Sequence, residues 1–242
     1  MFTRWYPKAS RQHERRKNGR DDPADPQGRI KENMDRMYRW TRHVYDTSRK
    51  YYLLGRDELI KALNPAEHEH VCEVGCGTAR NLIKMARRYP LAYFYGLDVS
   101  DEMLKTARRT LKNARLTDTV RLKQGYAQNF DPAQLFGPQA APLSKIVFSY
   151  ALSIIPPWRE SIDHALALLP PGGQIHIVDF GGQDGLPRWF RTLLFWWLSL
   201  FHVHYKPEIF EYLKRLELEK AGMLTLKPIY RGYALHAVFT KA

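Results

Sequence analysis

The stretch "EVGCGTARN", residues 73–81, decides the fold of this chain. It follows an apolar run that ends at Val74, and a helical pattern begins directly after it. Gly75 and Gly77 allow the backbone to turn sharply and to approach a ligand closely, because glycine has no Cβ. A strand, a glycine-rich turn and a helix in this order predict the first βα unit of a nucleotide-binding α/β fold.

Strand-like and helix-like segments alternate on both sides of this loop. Five strands are predicted, at "HVCEVGC", "AYFYGLDVS", "TVRLKQG", "SKIVFSY" and "QIHIVDF". Such alternation predicts βαβ units and a mostly parallel sheet with helices on both faces. The C-terminal "LTLKPIYRGYALHAVFTKA" contains two further strand-like runs, which we expect to close the sheet as an antiparallel pair. The predicted fold is therefore α/β and Rossmann-like, with seven strands.

The chain divides into a tail and one domain. Residues 1–29 are basic and contain Pro and Gly without periodicity, which predicts a flexible arm. Residues 30–242 are interpreted as a single domain. Within it, residues 30–65 form an N-terminal helical lid, in which "RDELIKAL" is a short second helix, and residues 183–215 form a helical insertion.

Composition indicates the kind of partner. The 242 residues carry a net charge of +13, with a pI near 9.7, which favours an acidic partner such as nucleic acid or anionic lipid. Cys72 and Cys76 are too few for a disulfide framework and are predicted to be reduced thiols of a cytosolic protein. We expect no secretory signal, and the longest apolar run, residues 192–203, falls short of the roughly 20 residues needed to cross a bilayer.

Two kinds of ligand, a dinucleotide or S-adenosylmethionine, are bound by glycine-rich loops of this type. The dinucleotide fingerprint requires a third glycine, for close helix packing, at the position that Arg80 occupies here. A long cationic side chain cannot take that place, so the dinucleotide interpretation fails. S-adenosylmethionine (SAM) contains no phosphates, and the loop would instead enclose an amino acid, a sulfonium and a ribose.

The SAM interpretation assigns roles to residues at the strand ends. Glu73 is placed to accept a hydrogen bond from the ligand's ammonium or to order the loop. Asp98, at the end of the second strand, is placed to accept both ribose hydroxyls. Val99 and Met103 can cover the adenine. The backbone of the loop supplies the cradle, from residues Gly75, Cys76, Gly77 and Thr78.

The two segments together carry a family resemblance. "EVGCGTARN" followed by "GLDVSDEML" resembles motifs one and two of the class I SAM-dependent methyltransferases. "QGYAQNF" resembles the third motif, but Tyr126 replaces the usual acidic residue, so Tyr126 would stack on or bond the base and Ala127 would offer its amide. "FSYALS" follows the fourth strand, where cofactor and acceptor meet in this family, and makes Ser149 and Tyr150 site candidates.

The positive net charge of the chain first suggests a nucleic acid as the methyl acceptor. Methyltransferases of base nitrogens place a polar residue, two prolines and an aromatic residue directly after strand four. "IPPW", residues 155–158, comes several residues later, and Ile155 cannot accept a hydrogen bond from a base. With no RNA-binding appendage evident, we expect no nucleic-acid partner.

A lipid acceptor fits the aromatic insertion better. "LPRWFRTLLFWWLSLFHVHY" combines Trp and Phe with Arg188 and Arg191, a composition typical of helices at a membrane interface. Arg188 and Trp189 are therefore predicted to bind the substrate beside an anionic membrane surface. The alternatives, a buried core helix or the face of a homo-oligomer, stay open.

The N-terminal segment carries a more specific resemblance. "MYRWTRHVYDTSRKYYLLGRDELI", residues 37–60, resembles the bacterial betaine-lipid N-methyltransferases of the BtaB type, and the resemblance extends over about residues 34–242. It implies three methylations of diacylglyceryl-homoserine, which yield diacylglyceryl-N,N,N-trimethylhomoserine and S-adenosylhomocysteine. It also implies a cytoplasmic enzyme on the inner face of the membrane. The alternatives are a methyltransferase of phosphatidylethanolamine or of a quinone precursor, and a SAM-binding or nucleic-acid-binding protein without catalysis.

Further site residues follow from this resemblance and from charge. Tyr45 and Arg56 belong to the lid segment, and Arg56 would pair with the carboxylate of SAM. Tyr150 and Asp179 are the candidates to accept the amine proton, although Asp179 is equally well placed to order a loop.

An aromatic wall is predicted for the quaternary ammonium product. Cation–π attraction contributes roughly 0.5–2 kcal/mol per ring. The candidate rings, which are otherwise core or surface aromatics, are Tyr150, Trp158, Tyr230 and Tyr233. His68 and His70 lack further ligands at metal spacing, so no metal is expected.

Overall fold

The structure is a computed structural model that describes residues 53–199 and 205–242. The predicted arm, residues 1–29, and the first lid helix lie outside the described residues. Tyr45 lies outside them as well, so its predicted contact with SAM stays a prediction.

The described residues form one sheet between two layers of helices. The strands are β1 His70–Val74, β2 Tyr93–Asp98, β3 Val120–Gln124, β4 Lys145–Ser149, β5 Gln174–Phe180, β6 Gly222–Ile229 and β7 Ala234–Lys241. The helices are α1 Arg56–Leu63, α2 Arg80–Arg88, α3 Asp101–Ala114, α4 Pro132–Phe136, α5 Trp158–Leu168, α6 Arg188–Ser199 and α7 Pro207–Leu218.

The sheet confirms the predicted topology. Its seven strands run in the order β3-β2-β1-β4-β5-β7-β6. Strands β1 to β5 pair in parallel, whereas β7 pairs antiparallel with both β5 and β6. The strand order reverses between β1 and β4, and a ligand cleft is expected beyond the carboxyl ends of these two strands.

Two apolar layers hold the helices against the sheet. On one face Leu59, Leu82 and Leu104, from α1, α2 and α3, are fully buried in one cluster. On the other face Ile162 of α5 and Leu213 of α7 are fully buried in a second cluster. Burial of such a side chain stabilises the fold by roughly 1.5–3 kcal/mol, so these layers fix the positions of the strand ends.

Local sequence explains where α3 begins. Ser100 is its N-cap and accepts a hydrogen bond from the amide of Met103 at 3.4 Å. Asp101 and Glu102 occupy the first turn, where a carboxylate is favoured by the helix dipole. The cap fixes the turn that directly follows Asp98, and this turn belongs to the site.

Two helices had no clear sequence prediction. The five-residue α4 depends on Asp131, whose carboxylate accepts hydrogen bonds from the amides of Ala133 and Gln134. Helix α7 lies partly within the predicted insertion, residues 183–215, but it packs on the core through Ile209, Phe210 and Leu213. Within residues 53–199 and 205–242, no helix is both long and apolar enough to span a bilayer.

Candidate active site

A cleft opens at the carboxyl ends of β1, β2 and β4. It encloses about 1100 Å³ of empty space, part of which is open solvent. Its walls come from the loops after β1, β2, β3 and β4 and from the segment that leads into α1. The segments that line it are residues 73–78, 80–81, 97–99, 125–128, 149–151 and 154–157, together with Leu53 and Arg56.

The loop after β1 depends on glycine at two positions. Gly75 has φ +73°, and a Cβ there would lie 2.8 Å from the Cβ of Ala151. Gly77 has φ +52°, and its amide donates to Oδ2 of Asp98 at 2.8 Å. The loop therefore packs against the loop after β4 and is tied to the end of β2, which leaves a cradle that a side chain at 75 would fill.

Asp98 is held by two backbone amides. Its Oδ2 accepts from Gly77, and its Oδ1 accepts from the amide of Ser100 at 2.9 Å. The residue is buried, and it lines the cleft. Each carboxylate oxygen has more than one lone pair, so this carboxylate retains the chemistry to accept hydroxyls of a ribose.

Glu73 combines burial with an unpartnered oxygen. Its Oε1 accepts from Nδ2 of Asn81 at 2.7 Å, while Oε2 is buried and has no hydrogen-bond partner within residues 53–199 and 205–242. Burial raises the pKa of Glu73 to about 8, although the Asn81 hydrogen bond and the charge of Arg56 act in the opposite direction. A buried carboxyl with an orphaned oxygen beside a cleft fits a ligand that brings a hydrogen-bond donor or a positive charge.

The adenine side of the predicted site is assembled from two loops. Val99, Tyr126 and Ala127 all line the cleft, together with Gln128. Met103, in the first turn of α3, is buried and does not line the cleft. Tyr126 has the position from which it could contact a base.

The end of the lid segment closes one side of the cleft. Leu53 and Arg56 line it, and Nε of Arg56 donates to the carbonyl of Leu53 at 3.1 Å. The Tyr150 hydroxyl donates to the carbonyl of Leu54 at 2.5 Å. Burial raises the pKa of Tyr150, which therefore stays a phenol and anchors this segment to the end of β4.

Only one of the two proton-acceptor candidates, Tyr150, lines the cleft. Ser149 lines it as well, and its buried hydroxyl has no hydrogen-bond partner among the described residues. Asp179 lies outside the lining residues and accepts from the amides of Ser153 and Phe180, at 3.1 and 2.9 Å. Burial raises the pKa of Asp179 to about 6. These contacts favour the alternative role for Asp179, in which it orders the loop after β4.

The predicted aromatic wall is divided between the two faces of the sheet. Tyr150 and Tyr233 both pack against Phe180, with centroids 4.7 and 6.2 Å apart. Trp158 belongs to the opposite apolar layer, where its ring packs against Tyr212. The rings are separated because α5, which begins with Trp158, packs on the face of the sheet opposite to the one on which Tyr150 and Tyr233 are buried.

The other substrate candidates lie at the surface. Tyr230 is 54% exposed, and neither it nor Tyr233 lines the cleft. Arg188 and Trp189 are exposed at the start of α6, where Trp189 is 70% exposed. None of the five predicted substrate residues therefore lines the cleft in this structure.

Sequence reasoning missed two groups of lining residues. Asn81 closes the quoted stretch, and its position as the second residue of α2, directly after the loop, could have suggested that it faces Glu73. Ile154, Ile155, Pro156 and Pro157 form an apolar wall, and no local pattern indicated that they face the cleft. The His68–His70 pair is accounted for by ring contacts with Tyr93.

The comparisons with known proteins agree with this geometry. Residues 71–173 match a family model described as a methyltransferase domain. The plantazolicin methyltransferase BpumL, solved in complex with SAH, superposes with a TM-score of 0.63 at 14% identity, over 89% of this chain and 97% of that one. An O-methyltransferase family protein from Burkholderia thailandensis superposes with a TM-score of 0.60 at 15% identity, and this chain spans 59% of its length.

The match, the fold and the cleft together make residues 71–173 a methyltransferase domain of the class I SAM-dependent type, with SAM as its cofactor. A demethylmenaquinone methyltransferase of Listeria monocytogenes is 28% identical over 191 residues, which are 75% of this chain and 76% of that protein.

Proposed function

We propose that this methyltransferase methylates the amine of diacylglyceryl-homoserine three times and forms a betaine lipid. The observation that carries the proposal concerns the stretch "YDTSRKYYLLGRD", residues 45–57, which resembles the betaine-lipid enzymes most specifically. Its last residues do more than connect elements, since Leu53 and Arg56 form a wall of the cleft and Leu54 binds Tyr150. The described end of this stretch, residues 53–56, thus borders the cleft, which supports the proposal.

The reaction makes modest chemical demands on the protein. The lone pair of the amine forms the N–C bond while the S–C bond of the sulfonium breaks, so the two must be aligned. Alignment alone contributes about 7–11 kcal/mol in favourable cases. The first two methylations each release one proton from nitrogen, whereas the third starts from a tertiary amine and releases none.

A neutral amine is the second requirement. Ile154, Ile155 and Pro156 give the cleft an apolar wall, and an apolar environment lowers the pKa of an amine. Tyr150 cannot act as a base while its hydroxyl donates to Leu54 and its pKa is raised. We therefore assign Tyr150 a positioning role and propose that water takes the proton.

The surface of α6 supports a substrate that resides in a membrane. Trp189, Leu193 and Trp196 are 70%, 53% and 60% exposed and recur at four- and three-residue steps, so they share one face of the helix. Arg188 stands beside them. Exposed Trp and Leu next to Arg suit the boundary between headgroups and acyl chains.

A quinone precursor is the second candidate acceptor. The observation that favours it is the likeness to the demethylmenaquinone methyltransferase, which covers three quarters of this chain. A quinone precursor is also apolar, and α6 would serve it equally well. It would require methylation of a ring carbon instead of an amine.

One assay separates these acceptors. Purified full-length protein would be incubated with methyl-labelled SAM and mixed micelles that contain diacylglyceryl-homoserine, phosphatidylethanolamine or demethylmenaquinone. We expect label in mono-, di- and trimethylated homoserine lipid, as detected by mass spectrometry, and none with an Asp98→Asn variant. Label in menaquinone or in methylated phosphatidylethanolamine alone would overturn the proposal in favour of that acceptor. SAM binding without transfer to any of the three would overturn it in favour of a non-catalytic role.

A further inference from the structure

The positive charge of the described residues is concentrated in one part of the chain. Residues 80–124 contain eleven Lys and Arg against four Asp and Glu. These residues form α2, α3 and the edge strand β3, which pack next to one another. By contrast, residues 207–229, in α7 and β6, contain four of each sign.

The cations of α3 form a continuous exposed stripe. Lys105, Arg108, Arg109 and Lys112 recur at helical spacing on the side opposite the buried residues of the helix, and Arg115 follows at its C-cap. Lys105 pairs with Glu102 at 2.6 Å. Among the described residues, no carboxylate lies within ion-pair distance of the other four. A stripe with this many unneutralised charges costs electrostatic repulsion, which an anionic partner would relieve.

A groove lies beside this stripe. Arg108, Arg121 and Lys123 stand at its rim. Its floor consists mainly of apolar side chains, which come from α3, β3 and α4 and are Leu111, Val120, Leu122, Leu135 and Phe136. The combination of a cationic rim and an apolar floor matches an amphiphile with an anionic head.

We propose that the outer face of α3 and the adjoining edge strand β3, the basic face, dock on an anionic lipid bilayer. The choice of a bilayer over nucleic acid rests on the proposed function, since a lipid substrate requires contact with a membrane. It is also supported by the groove, because Phe136, its one lining aromatic residue, is buried and offers no ring on which a base could stack.

The test compares two triple variants of the full-length protein with the same loss of charge. The first carries Arg108→Gln, Arg109→Gln and Lys112→Gln on the basic face. The control carries Lys214→Gln, Lys220→Gln and Lys227→Gln, which are exposed on α7 and β6 or between them. Co-sedimentation with vesicles of phosphatidylcholine that contain about one third phosphatidylglycerol would measure binding, with pure phosphatidylcholine vesicles as the neutral reference.

Each cation near an anionic surface contributes about fivefold to binding, so we expect the basic-face variant to bind roughly a hundredfold more weakly and the control to change little. Equal binding by the two variants would overturn the proposal. Loss of binding to a DNA duplex in the basic-face variant, with vesicle binding intact, would overturn it in favour of nucleic acid. Unchanged SAM affinity and melting temperature would show that both variants are folded. No methyl acceptor is present, so this result is independent of the reaction that the enzyme performs.

Discussion

The two halves of the cleft differ in how they are built. On the cofactor side backbone amides bind a carboxylate 21 or fewer residues away, as in the hydrogen bonds from Gly77 and Ser100 to Asp98. On the acceptor side the hydrogen bond from Tyr150 to Leu54 joins residues 96 apart. The first half can be recognised in two short motifs, residues 73–81 and 96–104, whereas the second exists only once the chain has folded.

The largest expected effect concerns Asp98. Asp98→Asn removes the charge and one acceptor from the predicted ribose contact, and a hydrogen bond to a charged group contributes about 1.5–3 kcal/mol. We expect the Kd for SAM to rise about a hundredfold in calorimetry. Asp118→Asn, an exposed carboxylate after α3, should leave the Kd unchanged. If both variants bound SAM normally, Asp98 would not hold the cofactor.

The glycine loop offers a matched pair. Gly75→Ala introduces a Cβ at φ +73°, 2.8 Å from the Cβ of Ala151, whereas Gly172→Ala introduces one at φ +79° with no atom within 4 Å. Both variants incur the strain of a left-handed residue, about 1–2 kcal/mol. Gly75→Ala should lose roughly a further 1–3 kcal/mol from overpacking, measured by urea unfolding. Equal losses would mean that the loops after β1 and β4 are not in tight contact.

The raised pKa of Glu73 predicts a dependence of stability on pH. The folded protein binds this proton up to about pH 8, whereas the unfolded chain releases it near its ordinary pKa, so stability declines as pH rises through the folded pKa. Between pH 7 and 8 the ligand-free protein should lose about 1 kcal/mol of unfolding free energy. The lowered pKa values of His176 and His236, about 3 and 4, place their effects below this window.

Glu73→Gln should flatten this pH dependence, while Glu67→Gln, an exposed residue before β1, should leave it intact. A slope that persisted in Glu73→Gln would assign the proton to another group.

The smallest expected effect concerns Tyr150 and distinguishes a positioning role of its hydroxyl from a catalytic role. Tyr150→Phe removes the hydroxyl that holds Leu54, which costs about 1 kcal/mol of stability. It should lower kcat less than tenfold and leave the pH profile of kcat unchanged. General acid–base residues contribute about a hundredfold to ten-thousandfold, so a loss of that size together with a changed profile would restore Tyr150 as the base.

The sequence predicted the fold well because its signals are local. The strand QIHIVDF and the helix Arg56–Leu63 have the bounds that the sequence patterns predicted. Eleven of the thirteen predicted cofactor residues line the cleft; Met103 does not, and Tyr45 lies outside the described residues.

The acceptor half was harder to predict because side-chain direction there depends on tertiary packing. Trp158 follows two cleft-lining prolines, yet the start of α5 carries its ring to Tyr212 on the other face of the sheet. Asp179 lies near a strand end as predicted, but its Oδ2 accepts from Ser153 in the neighbouring loop and its Oδ1 accepts from Phe180 in its own strand. Residue type and position in the chain pointed to Trp158 and Asp179, but they do not determine the direction in which each side chain points.

The approach of Gly75 to Ala151 couples the evolution of two loops. A larger residue at 151 would meet the backbone that cradles the cofactor, so acceptor preference cannot be diversified there without disturbing SAM binding. Substitutions that change the substrate should therefore accumulate at residues 154–157, whose side chains line the cleft without this constraint.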